Sequence, residues 1–152
     1  MENKTVLVVV DMQDFFEAVN NKRTLMEVKR QIQLAKKRNG PIIFLEYIDC
    51  GNTRTELLAL VKNYKYKAIK IKKRNSGAKE IIDVIEKNKF GKRKIKICGV
   101  NSDCCVLNTT TDLVERLPES KIHVIKKACN TTSSNKGWNH YPTKTKNLKL
   151  VG

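Results

Sequence analysis

The sequence contains no C-x-x-C pair, and neither of its two histidines, His123 and His140, sits beside a cysteine at zinc-site spacing. Its five cysteines, Cys50, Cys98, Cys104, Cys105 and Cys129, are an odd number without regular intervals, which excludes a disulfide framework. No apolar run is long enough to cross a bilayer. The opening stretch MENKTVLVVVDMQ is interrupted by Asp11 and lacks a small-residue cleavage site, so it is expected to form a strand and not a signal peptide. The expected setting is therefore cytoplasmic and reducing, without a membrane partner. Repeats, linkers and low-complexity tracts are also missing, which leaves one domain over residues 1–152.

Acidic residues are scarce: 15 Asp and Glu stand against 31 Lys and Arg, giving a net charge of +16. Such an excess raises the possibility of a nucleic-acid partner, because clustered cations displace counterions from phosphates. Arginine, however, is scarce as well, with 7 against 24 lysines, and arginine is the residue that reads phosphates and bases in forks. The basic residues are scattered as KKR at Lys36 to Arg38, KYK at Lys65 to Lys67, KIKKR at Lys70 to Arg74 and KRKIK at Lys92 to Lys96. A solvated lysine-rich surface is the first expectation, and polyanion binding is the alternative to it.

What is present is an alternation of strand and helix patterns. Thr5 to Val10 is a continuous β-branched run, as in strands buried on both faces of a parallel sheet. Leu25, Val28, Ile32 and Ala35 recur at helical spacing within Thr24 to Asn39, and Gly40-Pro41 stops that helix. IIFLEYI follows as a second strand, and Thr53 to Asn63 reads as a helix. KAIKIK, Lys67 to Lys72, alternates so that Ile69 and Ile71 share one face and Lys70 and Lys72 the other. Ala78, Ile81, Ile82 and Ile85 mark a third helix, Lys94 to Val100 a fourth strand, and Lys121 to Ile125 a fifth. Between the last two strands runs a helix with Val106, Leu113 and Leu117 inward, for which Ser102 or Asp103 is the expected cap. This pattern predicts an α/β class fold: a three-layer α/β/α domain around a mostly parallel, doubly wound, Rossmann-like sheet. The polar segment 130–152 is expected to be irregular.

In such folds ligands gather beyond the carboxyl ends of the strands. There Asp11 ends the first strand, Lys72 ends the third, and Cys105 opens the helix after the fourth. Each has a plain structural role open to it: a turn former, a solvated lysine, a small buried apolar group. Together they form a chemically complete set. A thiol in the first turn of a helix is favoured as thiolate, a carboxylate can take its proton, and an ammonium offsets the cost of burying that carboxylate.

Three blocks, VLVVVDMQDFF at Val6 to Phe16, IKKRNSGA at Ile71 to Ala78, and ICGVNSDCCVLNTTTDL at Ile97 to Leu113, make the chain resemble the isochorismatase-like cysteine hydrolases, which include nicotinamidases and related amidases. The resemblance implies Asp11 as catalytic acid and base, Cys105 as nucleophile, and Lys72 as the third member, with Lys73 adjacent. It further implies a cis peptide between Val100 and Asn101, with the N–H groups of Asn101 and Cys105 directed at a substrate oxygen. Gln13, placed near Asp11, Phe16 and Tyr47 are the candidate substrate-binding residues. Nicotinamidases carry an Asp-x-His metal site; here the stretch reads Asp49-Cys50-Gly51, so neither a metal nor nicotinamidase activity is expected, and no cofactor is implied. A homo-oligomer, dimer or tetramer, is implied by the family. The leading expectation is hydrolysis of a C–N bond in a small molecule through a thioester on Cys105. The alternatives are a fold that has lost turnover and binds nucleic acid or an acidic partner, and a vinyl ether hydrolase that uses Asp11 without the thiol.

Overall fold

The structure, a computed structural model, describes residues 3–152, so the first two residues of the N-terminal stretch lie outside it. Six strands, β1 (Val6–Val10), β2 (Ile42–Tyr47), β3 (Lys67–Lys72), β4 (Lys94–Val100), β5 (Lys121–Asn130) and β6 (Leu148–Val151), form one sheet. Its order is β3-β2-β1-β4-β5-β6, and every neighbouring pair is parallel. Parallel neighbours need crossovers, and four helices serve them: α1 (Lys22–Lys37), α2 (Thr55–Ala59), α3 (Ala78–Lys87) and α4 (Cys105–Arg116). The helices α3 and α4 pack side by side against β3 and β4, while α1 lies against β1, β4 and β5. The domain is therefore an α/β sandwich of three layers, as the alternation of patterns predicts.

Central position explains the β-branched run: all five residues of β1 are buried, as are Ile42 to Glu46 of β2. The helix α1 starts two residues before the predicted Thr24, because Asn21 caps it by accepting the Thr24 N–H at 3.0 Å. It buries Val28, Ile32 and Ala35 and ends on Lys36 and Lys37, where cations favour the helix terminus. The predicted helix over Thr53 to Asn63 shrinks to the five residues of α2.

Two expectations require correction. Segment 130–152 is not wholly irregular: it contains a short 3-10 turn at Trp138–His140 and the edge strand β6, paired to β5 from Ile122↔Leu148 to Ile125↔Val151. Its four-residue length and flanking lysines hide it from period counting. The cap expected from Ser102 or Asp103 is also absent. Ser102 donates to the Lys136 carbonyl and Asp103 accepts from Thr131, so the cap position of α4 falls to Cys104, which makes no side-chain cap bond.

Gly99 sets the close approach of β4 to β1. At φ +122°, a Cβ there would stand 2.2 Å from the Val10 carbonyl oxygen. Gly99→Ala is expected to cost about 3 kcal/mol, since strain and backbone collision coincide. In thermal unfolding this reads as a midpoint lowered by roughly 6–12 °C for a chain of this size.

Candidate active site

Asp11 follows β1 directly, with φ at 50°, a left-handed conformation that turns its side chain off the strand direction. Its N–H is held by the Leu45 carbonyl at 3.0 Å, which locks the turn to β2. Lys72 closes β3, and in the register it is opposite Tyr47, the last residue of β2, so the two side chains share a face. Cys105 is the first residue of α4. Three different segments thus deliver their side chains to one place beyond the carboxyl ends of the strands.

The ammonium of Lys72 lies 3.0 Å from Asp11 Oδ2, with Lys72 fully enclosed and Asp11 1% exposed. It also donates to the Arg74 carbonyl at 3.0 Å and sits 4.1 Å from the centre of the Tyr47 ring. A buried cation held by a carboxylate, a carbonyl and an aromatic face is well compensated. Lys73, the neighbouring candidate, is exposed. Lys72 is buried because β3 has its lysine turned in and its isoleucines turned out: Ile69 and Ile71 are 47% and 56% exposed.

The Cys105 thiol adjoins the Asp11 carboxylate, which is thus approached by two donors, that thiol and the Lys72 ammonium. Burial raises the pKa of Asp11, and Lys72 offsets part of that rise. Burial also pushes the Cys105 thiol up, with the Asp11 charge adding to the rise and Lys72 opposing it. Burial and the adjacent anion thus oppose the thiolate that the helix start favours.

The peptide between Val100 and Asn101 is cis, and the Asn101 carbonyl accepts the N–H groups of both Cys104 and Val106. Gln13 lies beside Asp11, its N–H donating to the Asp11 carbonyl at 2.7 Å. Its carboxamide engages backbone, donating to the Tyr47 and Gly51 carbonyls at 3.0 and 2.7 Å and accepting the Tyr47 N–H at 2.8 Å. It therefore fixes Tyr47. Phe16 packs edge-on to Tyr47 at 6.5 Å between ring centres, and the Tyr47 hydroxyl meets Asn75 at 3.3 Å. Two contributors lay outside the sequence reading: Asn75, and Glu46, whose carboxylate holds Thr53 N–H and Oγ1 at 2.7 and 2.8 Å and so secures the loop over the site. A carboxylate in the middle of an apolar strand was the available signal for Glu46; Asn75 had none. Cys105 is buried, with 5% of the residue exposed.

A metal of the nicotinamidase kind does not fit these residues. Gly51 offers no side chain, its carbonyl is taken by Gln13, and among the described residues no three His, Cys, Asp or Glu side chains converge.

The family model described as the isochorismatase domain matches residues 5–141. No curated protein matches the sequence. Among solved structures, a ribonuclease from Caenorhabditis elegans superposes with a TM-score of 0.81 at 21% identity, over 97% of this chain and 77% of that one. A nicotinamidase from Staphylococcus aureus gives 0.74 at 18%, over 90% and 88%. An N-carbamoylsarcosine amidase from Thermoplasma acidophilum gives 0.75 at 18%, over 97% and 95%. At these identities the likeness is one of fold.

Proposed function

The chain belongs to the isochorismatase family, and from that premise we propose that it hydrolyses a C–N bond of a small amide through a thioester on Cys105. The observation that carries the reading is the enclosed Asp11–Lys72 contact at 3.0 Å with the Cys105 thiol against it. An ion pair buried this deeply is costly, and its place against a thiol supports a catalytic use.

In the proposed reaction Cys105 Sγ attacks the amide carbon while its proton passes to Asp11. The oxyanion that forms is met by the backbone N–H groups of Asn101 and Cys105. Asp11 then gives the proton to the departing nitrogen, the C–N bond breaks, and the acyl group remains on sulfur. Water attacks the thioester with Asp11 as base, the C–S bond breaks, and the proton returns to sulfur. Lys72 keeps Asp11 ionised between steps, and Tyr47 and Phe16 wall the approach. The relatives described as a nicotinamidase and an N-carbamoylsarcosine amidase support an amide-type substrate. Five free thiols support a reducing, cytoplasmic location, and no described helix is long and apolar enough to cross a membrane. Exposed Ile69 and Ile71 on the edge strand β3 support self-association. Ile69→Lys with Ile71→Lys is expected to reduce the mass measured by sedimentation to that of a single chain.

A panel of small primary amides and carbamoyl compounds tests the chemistry. Ammonia release that disappears in Cys105→Ala supports the reading. Vinyl ether cleavage that survives Cys105→Ala but not Asp11→Ala would replace it with the thiol-independent reaction.

A further inference from the structure

At the opposite, amino end of the sheet, strand register assembles cations that the sequence keeps apart. Lys94 is opposite Lys121, Lys96 is opposite His123, and His123 is opposite Lys149. Paired residues of parallel strands share a face and lie about 4.8 Å apart, and alternate residues along one strand lie about 6.6 Å apart. The result is a grid of ammonium groups over β4, β5 and β6, joined by Lys146 from the turn before β6. Of these, Lys94, Lys121, Lys146 and Lys149 line, with His123, a cleft of about 420 Å³ that no acidic residue enters. Among the described residues none of these lysines has a carboxylate within ion-pair distance.

The surface is rigid. Asn147 donates to the Val114 and Leu117 carbonyls at 3.1 Å each, and its own carbonyl accepts the Ile122 N–H, so the turn presenting Lys146 and Lys149 is tied to α4 and β5. The mutual repulsion is visible in His123, whose pKa is lowered by burial and then by Lys94, Lys149, Lys96 and Lys121. Like charges held this close without counter-charge destabilise the free protein, and a polyanion would relieve them. A second cleft, of about 620 Å³, is lined by Arg93 and Ser120, the chain neighbours of Lys94 and Lys121, and holds half-buried Phe90 with Lys92, Glu86 and Glu119. Phosphates suit the first cleft. An aromatic face with carboxylates to accept base amino groups suits the second.

We propose that the amino ends of β4, β5 and β6 form a binding site for single-stranded nucleic acid, with the phosphate backbone on Lys94, Lys121, Lys146 and Lys149 and a base against Phe90. The six steps from Lys94 to Val100 carry β4 about 20 Å from this end to the thiol end, so the site is separate from the Asp11–Lys72–Cys105 centre. It neither requires nor supports amide hydrolysis.

Fluorescence anisotropy of a labelled oligouridylate of about 16 nucleotides, titrated with the full chain, tests the site. With four cations engaged on a single strand, affinity should fall about 50-fold between about 50 and 200 mM salt. Lys121→Gln/Lys146→Gln/Lys149→Gln, all exposed positions, should weaken binding at least about 10-fold, because each lost phosphate contact removes part of the counterion release. Lys22→Gln/Lys62→Gln/Lys87→Gln makes the same change in net charge elsewhere and should leave binding within about two-fold, as should Cys105→Ala. Phe90→Ala should weaken the oligonucleotide and not inorganic polyphosphate. Equal losses in the two triple variants, no binding at the lower salt, or polyphosphate binding as tightly as the oligonucleotide with Phe90→Ala without effect on either, would each overturn the proposal.

Discussion

If the proposed amide hydrolysis holds, Cys105→Ala is expected to lower kcat/KM by about 10⁴-fold or more, Asp11→Asn nearly as much, and the two together no more than the worse of them. The reason is that sulfur and carboxylate act as one unit. In the proposed mechanism the thiol, whose pKa is raised by burial beside an anion, needs Asp11 to take its proton, and without sulfur the base has nothing to activate in the first step. Activity needs Asp11 ionised and is therefore lost as pH falls through its pKa. Because burial raises that pKa, the acidic limb of the pH profile should lie above the ordinary carboxylate value of 3.8.

Lys72→Met should be the most damaging change to stability at the site, at about 3–5 kcal/mol, since it leaves a buried carboxylate without its counter-charge. Two readouts separate this from simple loss of packing. The acidic limb should move further up, because Lys72 is the group that pulls the Asp11 pKa down. Stability should also come to depend on pH with a definite sign. A carboxylate whose folded pKa is raised contributes most when protonated, below its unfolded value, and that contribution is lost as pH rises through the folded value. Denaturant unfolding of Lys72→Met should therefore show recovery in acid. Asp11→Asn/Lys72→Met, with neither charge, should be at least as stable as the native chain and inactive, as expected when a buried ion pair is kept for chemistry.

Much of this arrangement was legible in the sequence. The run VLVVV could only be a central strand, and the rule that ligands collect at carboxyl ends then drew Asp11, Lys72 and Cys105 to one edge. What could not be read was set by register and by loops. Alternation in KAIKIK showed that Lys72 opposes Ile71, but not that the lysine turns inward at an edge strand. The pairing of Tyr47 with Lys72 and the use of Gln13 to hold Tyr47 both depend on which residues of β2 and β3 face each other. The burial that opposes the expected thiolate was not visible in the sequence, whereas the helix position that favours it was. The lysines looked scattered for the same reason: the residues that meet at the amino end come from three strands.

The central claim is that the Cys105 thiol is reactive because Asp11 and Lys72 make it so, and timed labelling with chloroacetamide, located by peptide mass mapping, tests it most directly. The account predicts that Cys105 is modified before the more exposed Cys50 and Cys104, and at least about 10-fold more slowly in Asp11→Asn and in Lys72→Met. Modification in order of exposure, with Cys50 and Cys104 first and Cys105 reacting at the same rate in all three proteins, would contradict it.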